Sequence, residues 1–149
     1  MAAALVDTNV LVYLFDGDEP VKRARATTVV AGLAAAGAGC VSTQVLGEFF
    51  VVVSRKFAVP LSVQAAATQV ARFAELFDVL SVDADIVAEA VRGVAQHGLA
   101  YFDAQIWAAA LVHGVPVVLS EDFQDGRTIE GVSFRDPFDR GFRLDEALG

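Results

Sequence analysis

Two kinds of apolar pattern alternate along the chain. Residues 2–6 form a charge-free run that stops at Asp7, as a strand buried on both faces does. A helical stretch follows from about Asn9. Glu19-Pro20 opens a second helix, with proline tolerated in its first turn, and that helix runs to Gly37 and Gly39. Cys40-Val41-Ser42 is a second short strand, after which Thr43 is placed to cap a helix reaching about Lys56. Pro60 and Ser62 open a helix ending near Leu76, and Val79 to Val82 reads as a third strand. Asp83 caps the next helix, whose last turn holds His97 and whose stop is Gly98. Residues 103–113 are helical, Val115 to Leu119 is a strand with proline near its start, and Gly131 to Phe134 is a last strand.

The order β-α-α-β-α-α-β-α-α-β-β predicts an α/β fold: a mostly parallel central sheet sandwiched by helices. No repeat, low-complexity tract or linker divides residues 1–149, so one domain is expected. Ligands of such sheets sit beyond the carboxyl ends of the strands, which directs attention to the residues after Val6 and after Leu119.

Composition narrows the function classes. At 55% hydrophobic and 20% charged residues, the 149-residue chain can build a core without staples, which excludes disorder and a disulfide scaffold. The net charge of −8 is not the basic surface of a typical DNA-binding domain. Cys40 is the only cysteine, which fits a reducing compartment, and with His97 and His113 it makes too thin a ligand set for zinc. The apolar stretch Val29 to Val41 falls short of the roughly 20 residues a membrane span needs. The first residues carry no basic segment of a secretory leader. A cytoplasmic location away from the membrane is expected.

Four carboxylates stand out against this background. Asp7 ends the first strand and Asp122 follows the late one, in Ser120-Glu121-Asp122. Each also fits an ordinary cap after a strand. Glu48 has Val45, Phe49 and Val52 as its helical neighbours, and a carboxylate on so apolar a face is costly unless paired, bound to metal or able to reach the rim. Asp103 is the only formally charged side chain between Gly98 and Ser120, beside Ile106 and Trp107, although a first-turn acid also suits the helix dipole. Carboxylates converging from two strand ends and two helices would raise one another's pKa, and a divalent cation removes that conflict. All-oxygen ligands select Mg²⁺ or Mn²⁺, the apparatus of metal-assisted phosphodiester hydrolysis. The chain has no phosphate-binding glycine loop of either common type and no nucleophilic serine elbow. Cys40, Trp107 and the phenylalanines read as core, and His97 and His113 as helix ends.

Several segments carry a family resemblance. Val6-Asp7-Thr8-Asn9 resembles the opening of PIN-domain nucleases. Ser42-Thr-Gln-Val-Leu-Gly-Glu48-Phe is similar to that family's strand-to-helix segment, and Tyr101-Phe-Asp103-Ala-Gln-Ile-Trp-Ala-Ala-Ala110 to its acidic helix. Leu119-Ser-Glu-Asp122-Phe-Gln-Asp125-Gly126 resembles its fourth acidic site, and Asp136-Pro-Phe138 its closing segment. In length and motif style the chain is similar to VapC-type toxins, the ribonuclease half of bacterial and archaeal toxin–antitoxin pairs.

The resemblance implies an endoribonuclease dependent on Mg²⁺, with Mn²⁺ able to substitute, a homodimer, and a cognate VapB-like antitoxin that blocks the site. It implies that Asp7, Asp103 and Asp122 ligate metal and that Glu48 completes the site by binding or orienting the attacking water. Asp125 would be an outer ligand of a second metal, and the hydroxyls of Thr8 and Ser120 would orient the ligands from behind. Water would attack phosphorus in line and leave a 5′-phosphate. Positive charge for RNA is clustered at Lys22, Arg23 and Arg25 and at Arg55 and Lys56, where a solvated helix face is the other reading. Two further readings stand beside the enzyme. A non-catalytic PIN scaffold would keep the fold and serve as a binding module. A receiver domain would need a late lysine, and the only lysines are Lys22 and Lys56.

Overall fold

The computed structural model describes residues 2–149. Six strands form one sheet in the order β3-β2-β1-β4-β6-β5. They are β1 (Ala4–Val6), β2 (Gly39–Ser42), β3 (Asp78–Leu80), β4 (Val117–Leu119), β5 (Thr128–Ile129) and β6 (Val132–Arg135). All neighbours are parallel except the β5–β6 hairpin. Every residue of β1, β2 and β4 is buried, so both faces of the central sheet are covered.

The helices are α1 (Thr8–Tyr13), α2 (Pro20–Ala36), α3 (Thr43–Val51), α4 (Val63–Leu76), α5 (Ala84–His97), α6 (Tyr101–Val112) and the short α7 (Leu144–Ala147). Strands β1 to β3 step outward in one direction, and the β3-to-β4 connection then crosses back past β1. Right-handed crossovers therefore put α1–α4 and the α5–α6 pair on opposite faces. The reversal lies between β1 and β4, where Val6 pairs with Leu119 and the Asp7 amide donates to the Leu119 carbonyl at 3.0 Å.

The α/β expectation holds, with local differences that have physical causes. Ser42, not Thr43, caps α3: its extended backbone ends β2, and its hydroxyl accepts from the Val45 amide at 3.2 Å. Thr43 is already helical, and its hydroxyl accepts from the Val82 amide instead. The helix expected to reach Lys56 leaves α geometry at Val51 and continues as a π-helical turn over Val52–Lys56. Strand β3 lies earlier than Val79–Val82 because its register is set by pairing with Cys40 to Ser42. The 115–119 strand starts only at Val117, and the carbonyl of Pro116 accepts from the Ser133 amide across the sheet. Helix α6 begins two residues before Asp103, at Tyr101. Strand β5 and helix α7 were not expected, being too short to show a period.

Helices α5 and α6 meet at Gly93, where an added methyl would stand 2.7 Å from the Trp107 ring. That ring is buried and cannot swing away freely, because its Nε1 donates to the Ile129 carbonyl at 3.1 Å. Gly93→Ala should therefore destabilise the protein by about 1–3 kcal/mol despite the better helix propensity of alanine. Denaturant unfolding checks this; a stabilised variant would mean that the α5–α6 contact yields.

Candidate active site

The site is built at the point where the sheet reverses direction. Asp7 follows β1 and caps α1, its Oδ1 accepting from the Thr8 amide at 2.7 Å. Its other oxygen accepts from the Ser120 hydroxyl at 2.7 Å. Ser120, 1% exposed, in turn accepts from the Asp122 amide at 3.0 Å and from Asn9 Nδ2 at 3.1 Å. Asn9 Nδ2 also lies 3.1 Å from Asp122 Oδ2. One serine and one asparagine thus tie the end of β1 to the loop after β4.

Glu48 comes in from α3 without an ion-pair partner among the described residues. Two neutral donors hold it: Thr8 Oγ1 at 3.1 Å from Oε2, and Gln44 Nε2 at 2.8 Å from Oε1. Its apolar neighbours Val45 and Phe49 are buried, and the carboxylate leaves them by reaching the rim, one of the alternatives its position allowed. A cleft of ≈ 310 Å³ opens between Thr8, Asn9, Glu48 and Asp122, with Tyr13 and Asp16 at its side. Asp103, in the first turn of α6, accepts no hydrogen bond among the described residues.

Electrostatics links the four acids. Burial pushes the Asp7 carboxyl up to about 6, against the pull of its Ser120 and Thr8 hydrogen bonds, and the charges of Asp122 and Glu48 push the same way. Asp103 is likewise raised, by burial first and then by Asp122 and Glu48. Among the described residues no lysine, arginine or histidine pairs with any of the four. Nor do three His, Cys, Asp or Glu side chains already stand in a metal-holding group there. The hydroxyls and the asparagine amide occupy the carboxylate oxygens instead. The donor chemistry fits a hard divalent cation: all oxygen, excess negative charge and no competing side-chain cation.

Other residues fall elsewhere. Asp125 Oδ1 accepts from the Asp136 amide at 2.9 Å and from Arg135 Nε at 3.3 Å, and its cleft is shared with Gly126, Ser133 and Glu146. It clamps the segment around the β5–β6 hairpin and has no contact with the other four acids. Lys22 is bound to Glu121 at 2.8 Å and to the Tyr13 hydroxyl at 3.2 Å. Arg25 is turned to the carbonyls of Pro137, Asp139 and Phe142. Arg23, Arg55 and Lys56 are exposed. Sequence reasoning gave no role to Asn9, Gln44, Gln105 or Tyr101. Asn9 had a signal in its adjacency to Asp7, and Gln105 in being an amide inside an apolar helix.

Residues 4–125 match a family model described as the PIN domain. The chain belongs to the PIN-domain family. No curated protein matches it. Among solved structures, this PIN domain is similar to a chain of a toxin–antitoxin complex from Klebsiella pneumoniae, with TM-score 0.64 and 23% identity over 90% of this chain and 97% of the other. It is also similar to a chain of DNA-bound VapBC from Salmonella typhimurium, with TM-score 0.64 and 19% identity over 92% and 99%. A third is VapC20 of Mycobacterium tuberculosis, a sarcin–ricin-loop-cleaving toxin, with TM-score 0.55 and 21% identity over 77% and 86%. At these identities the likeness is one of fold.

The raised Asp7 carboxyl of this PIN domain has a thermodynamic consequence. A carboxyl that titrates near 6 when folded and near 3.8 when unfolded favours folding fully below the lower value. That contribution is lost as pH rises through the higher one. In chelator, Asp7→Asn should gain on the wild type between about pH 4 and pH 7, by on the order of 2–3 kcal/mol. Denaturant unfolding at the two pH values measures the difference; an unchanged gap would mean that Asp7 ionises in the folded state at no cost.

Proposed function

We propose that the chain is a VapC-type endoribonuclease, acting as one PIN domain over residues 1–149 and held inactive by a cognate VapB-like antitoxin. The observation that carries this reading is the convergence of Asp7, Glu48, Asp103 and Asp122 at the reversal of a PIN-domain sheet with no side-chain cation to neutralise them. Structural likeness to chains from VapBC complexes supports the toxin assignment. The likeness to a toxin that cleaves the sarcin–ricin loop supports RNA as the substrate class. Among the described residues no helix is long and apolar enough to cross a membrane, which is consistent with action in the cytoplasm.

In this reading Asp7, Asp103 and Asp122 hold Mg²⁺, or Mn²⁺ in its place. When bound, the cation offsets their charge and, as a Lewis acid, stabilises the charge that develops on the phosphoryl and 3′-oxygens. Ser120 and Asn9 keep Asp7 and Asp122 oriented. Glu48, fixed through both oxygens, orients the attacking water and accepts its proton. The water oxygen bonds to phosphorus, the P–O3′ bond breaks, the departing 3′-oxygen takes up a proton from solvent, and the products are a 5′-phosphate and a 3′-hydroxyl. Arg23, Arg55 and Lys56 are free to meet RNA phosphates, with Lys22 and Arg25 available only by giving up their present partners. Asp125 serves the hairpin; an outer role toward a second metal would require it to leave Arg135.

Asp103→Asn should lower Mn²⁺-dependent RNA cleavage by about 10²-fold or more, since it removes a metal-binding charge at nearly constant shape. The metal-free variant should be no less stable than the wild type, because Asp103 ionises against burial and two neighbouring acids. A cleavage assay and a thermal midpoint in chelator test both halves. Retained cleavage sinks the assignment, while cleavage lost together with stability points to a structural cap. Wild type without any nuclease activity in Mn²⁺ would favour the binding-module reading.

Excess carboxylate with no side-chain cation beside it also favours a guanidinium. We expect a homodimer in solution, and inhibition by a short antitoxin segment that places one Arg or Lys at the acids. Replacing that basic residue with Ala should restore part of the cleavage without dissociating the complex. Light scattering and cleavage by the purified complex are the readouts, and a monomer that no such segment inhibits would leave a stand-alone nuclease.

A further inference from the structure

Glu48 stands at the end of a row of amides. Gln44, one turn earlier on α3, donates its Nε2 to Glu48 Oε1 at 2.8 Å and to the Phe102 carbonyl at 3.2 Å. Gln44 Oε1 accepts from Gln105 Nε2 at 2.9 Å. Gln105 Oε1 accepts from the Tyr101 hydroxyl at 2.8 Å, within the first turns of α6. The polarity of this row admits one solution. A carboxylate and a carbonyl only accept, so Gln44 must turn its NH₂ toward them and its oxygen toward Gln105. Gln105 must then offer its own NH₂, which leaves its oxygen facing Tyr101, and Tyr101 must donate. Gln105 is 8% exposed and flanked by Ala104 and Ile106, where an aliphatic side chain would bury at less cost than an amide.

We propose that Tyr101, Gln105 and Gln44 form a hydrogen-bond chain of fixed direction that runs from α6 to α3 and holds the Glu48 carboxylate aimed at the cleft. Gln105 and Tyr101 are then positioning residues for the hydrolytic step, a role that rests on the nuclease reading above. Thr8 fixes the opposite oxygen, so Glu48 is held from both sides by groups that cannot accept a proton from it at neutral pH.

The test is a polarity reversal read in the metal-free protein. Gln105→Glu replaces a donor by an acceptor at the same shape, forces Gln44 to turn, and sets the Gln44 oxygen against Glu48. In chelator at pH 7 it should raise the unfolding constant about tenfold, but clearly less when combined with Glu48→Gln, which can donate to the turned Gln44 oxygen and leaves only the Phe102 carbonyl without that donor. This coupling between residues that do not touch should vanish in a Gln44→Ala background. Additive effects, or coupling that survives the loss of Gln44, would overturn the proposal, the latter by showing simple charge repulsion.

On RNA with Mn²⁺, Gln105→Leu should lower kcat about tenfold with KM within about twofold. Tyr101→Phe, a gentler change, should lower kcat about threefold in the same pattern. Losses confined to KM would overturn the positioning role. Should the wild type cleave nothing, the nuclease reading fails, and the stability cycle still decides whether the chain of fixed direction exists.

Discussion

Asp7 carries the central conflict of this molecule. Its carboxylate is almost wholly buried at the end of β1, between the amide that starts α1 and the hydroxyl that follows β4. Two hydrogen bonds pull its proton off, while burial and two neighbouring acids push it back on, and the second effect wins. Such a residue weakens the empty fold near neutral pH. Under the metal-dependent reading proposed above, a bound cation would remove that repulsion.

The fold makes this conflict possible and also contains it. The sheet reverses between β1 and β4, so two strand ends open side by side, and their loops carry Asp7 and Asp122. The second turn of α3 and the first turn of α6 approach that opening from the two faces of the sheet, bringing Glu48 and Asp103. Neutral polar groups then separate the acids: Thr8 and Gln44 on Glu48, Ser120 and Asn9 on Asp7 and Asp122. Neutral donors at these oxygens orient the carboxylates without cancelling their charge, whereas a lysine or arginine would have cancelled it. The cations near the site are committed elsewhere, Lys22 to Glu121 and Arg25 to backbone carbonyls.

Much of this was legible in the chain. Charge-free runs ending in Asp7 and before Ser120 announce buried parallel strands and mark where their carboxyl ends lie. Glu48 and Asp103 are visible because an acid amid Val45, Phe49, Ile106 and Trp107 conflicts with its surroundings, and a local conflict can be read from neighbours alone. What the chain left open depended on distant partners. Asp125 looks like one more acid in an acidic segment, yet Arg135 and the Asp136 amide claim it. Lys22 and Arg25 look like a basic face, but Glu121 and the carbonyls near Phe142 turn them inward.

The sequence by itself determined the alternation of strands and helices, the two strand ends to inspect and the oxygen-only character of the candidate ligands, because periodicity and residue chemistry are local properties. Only the tertiary structure decided which acids share one field, which cations are already spent, and that Gln44, Gln105 and Tyr101 stand in one directed row behind Glu48. Those outcomes depend on contacts between residues as far apart as Gln44 and Gln105 or Asn9 and Asp122. A hydrogen bond needs its two atoms placed to within a few tenths of an ångström, and no spacing along the chain specifies that until the helices have docked.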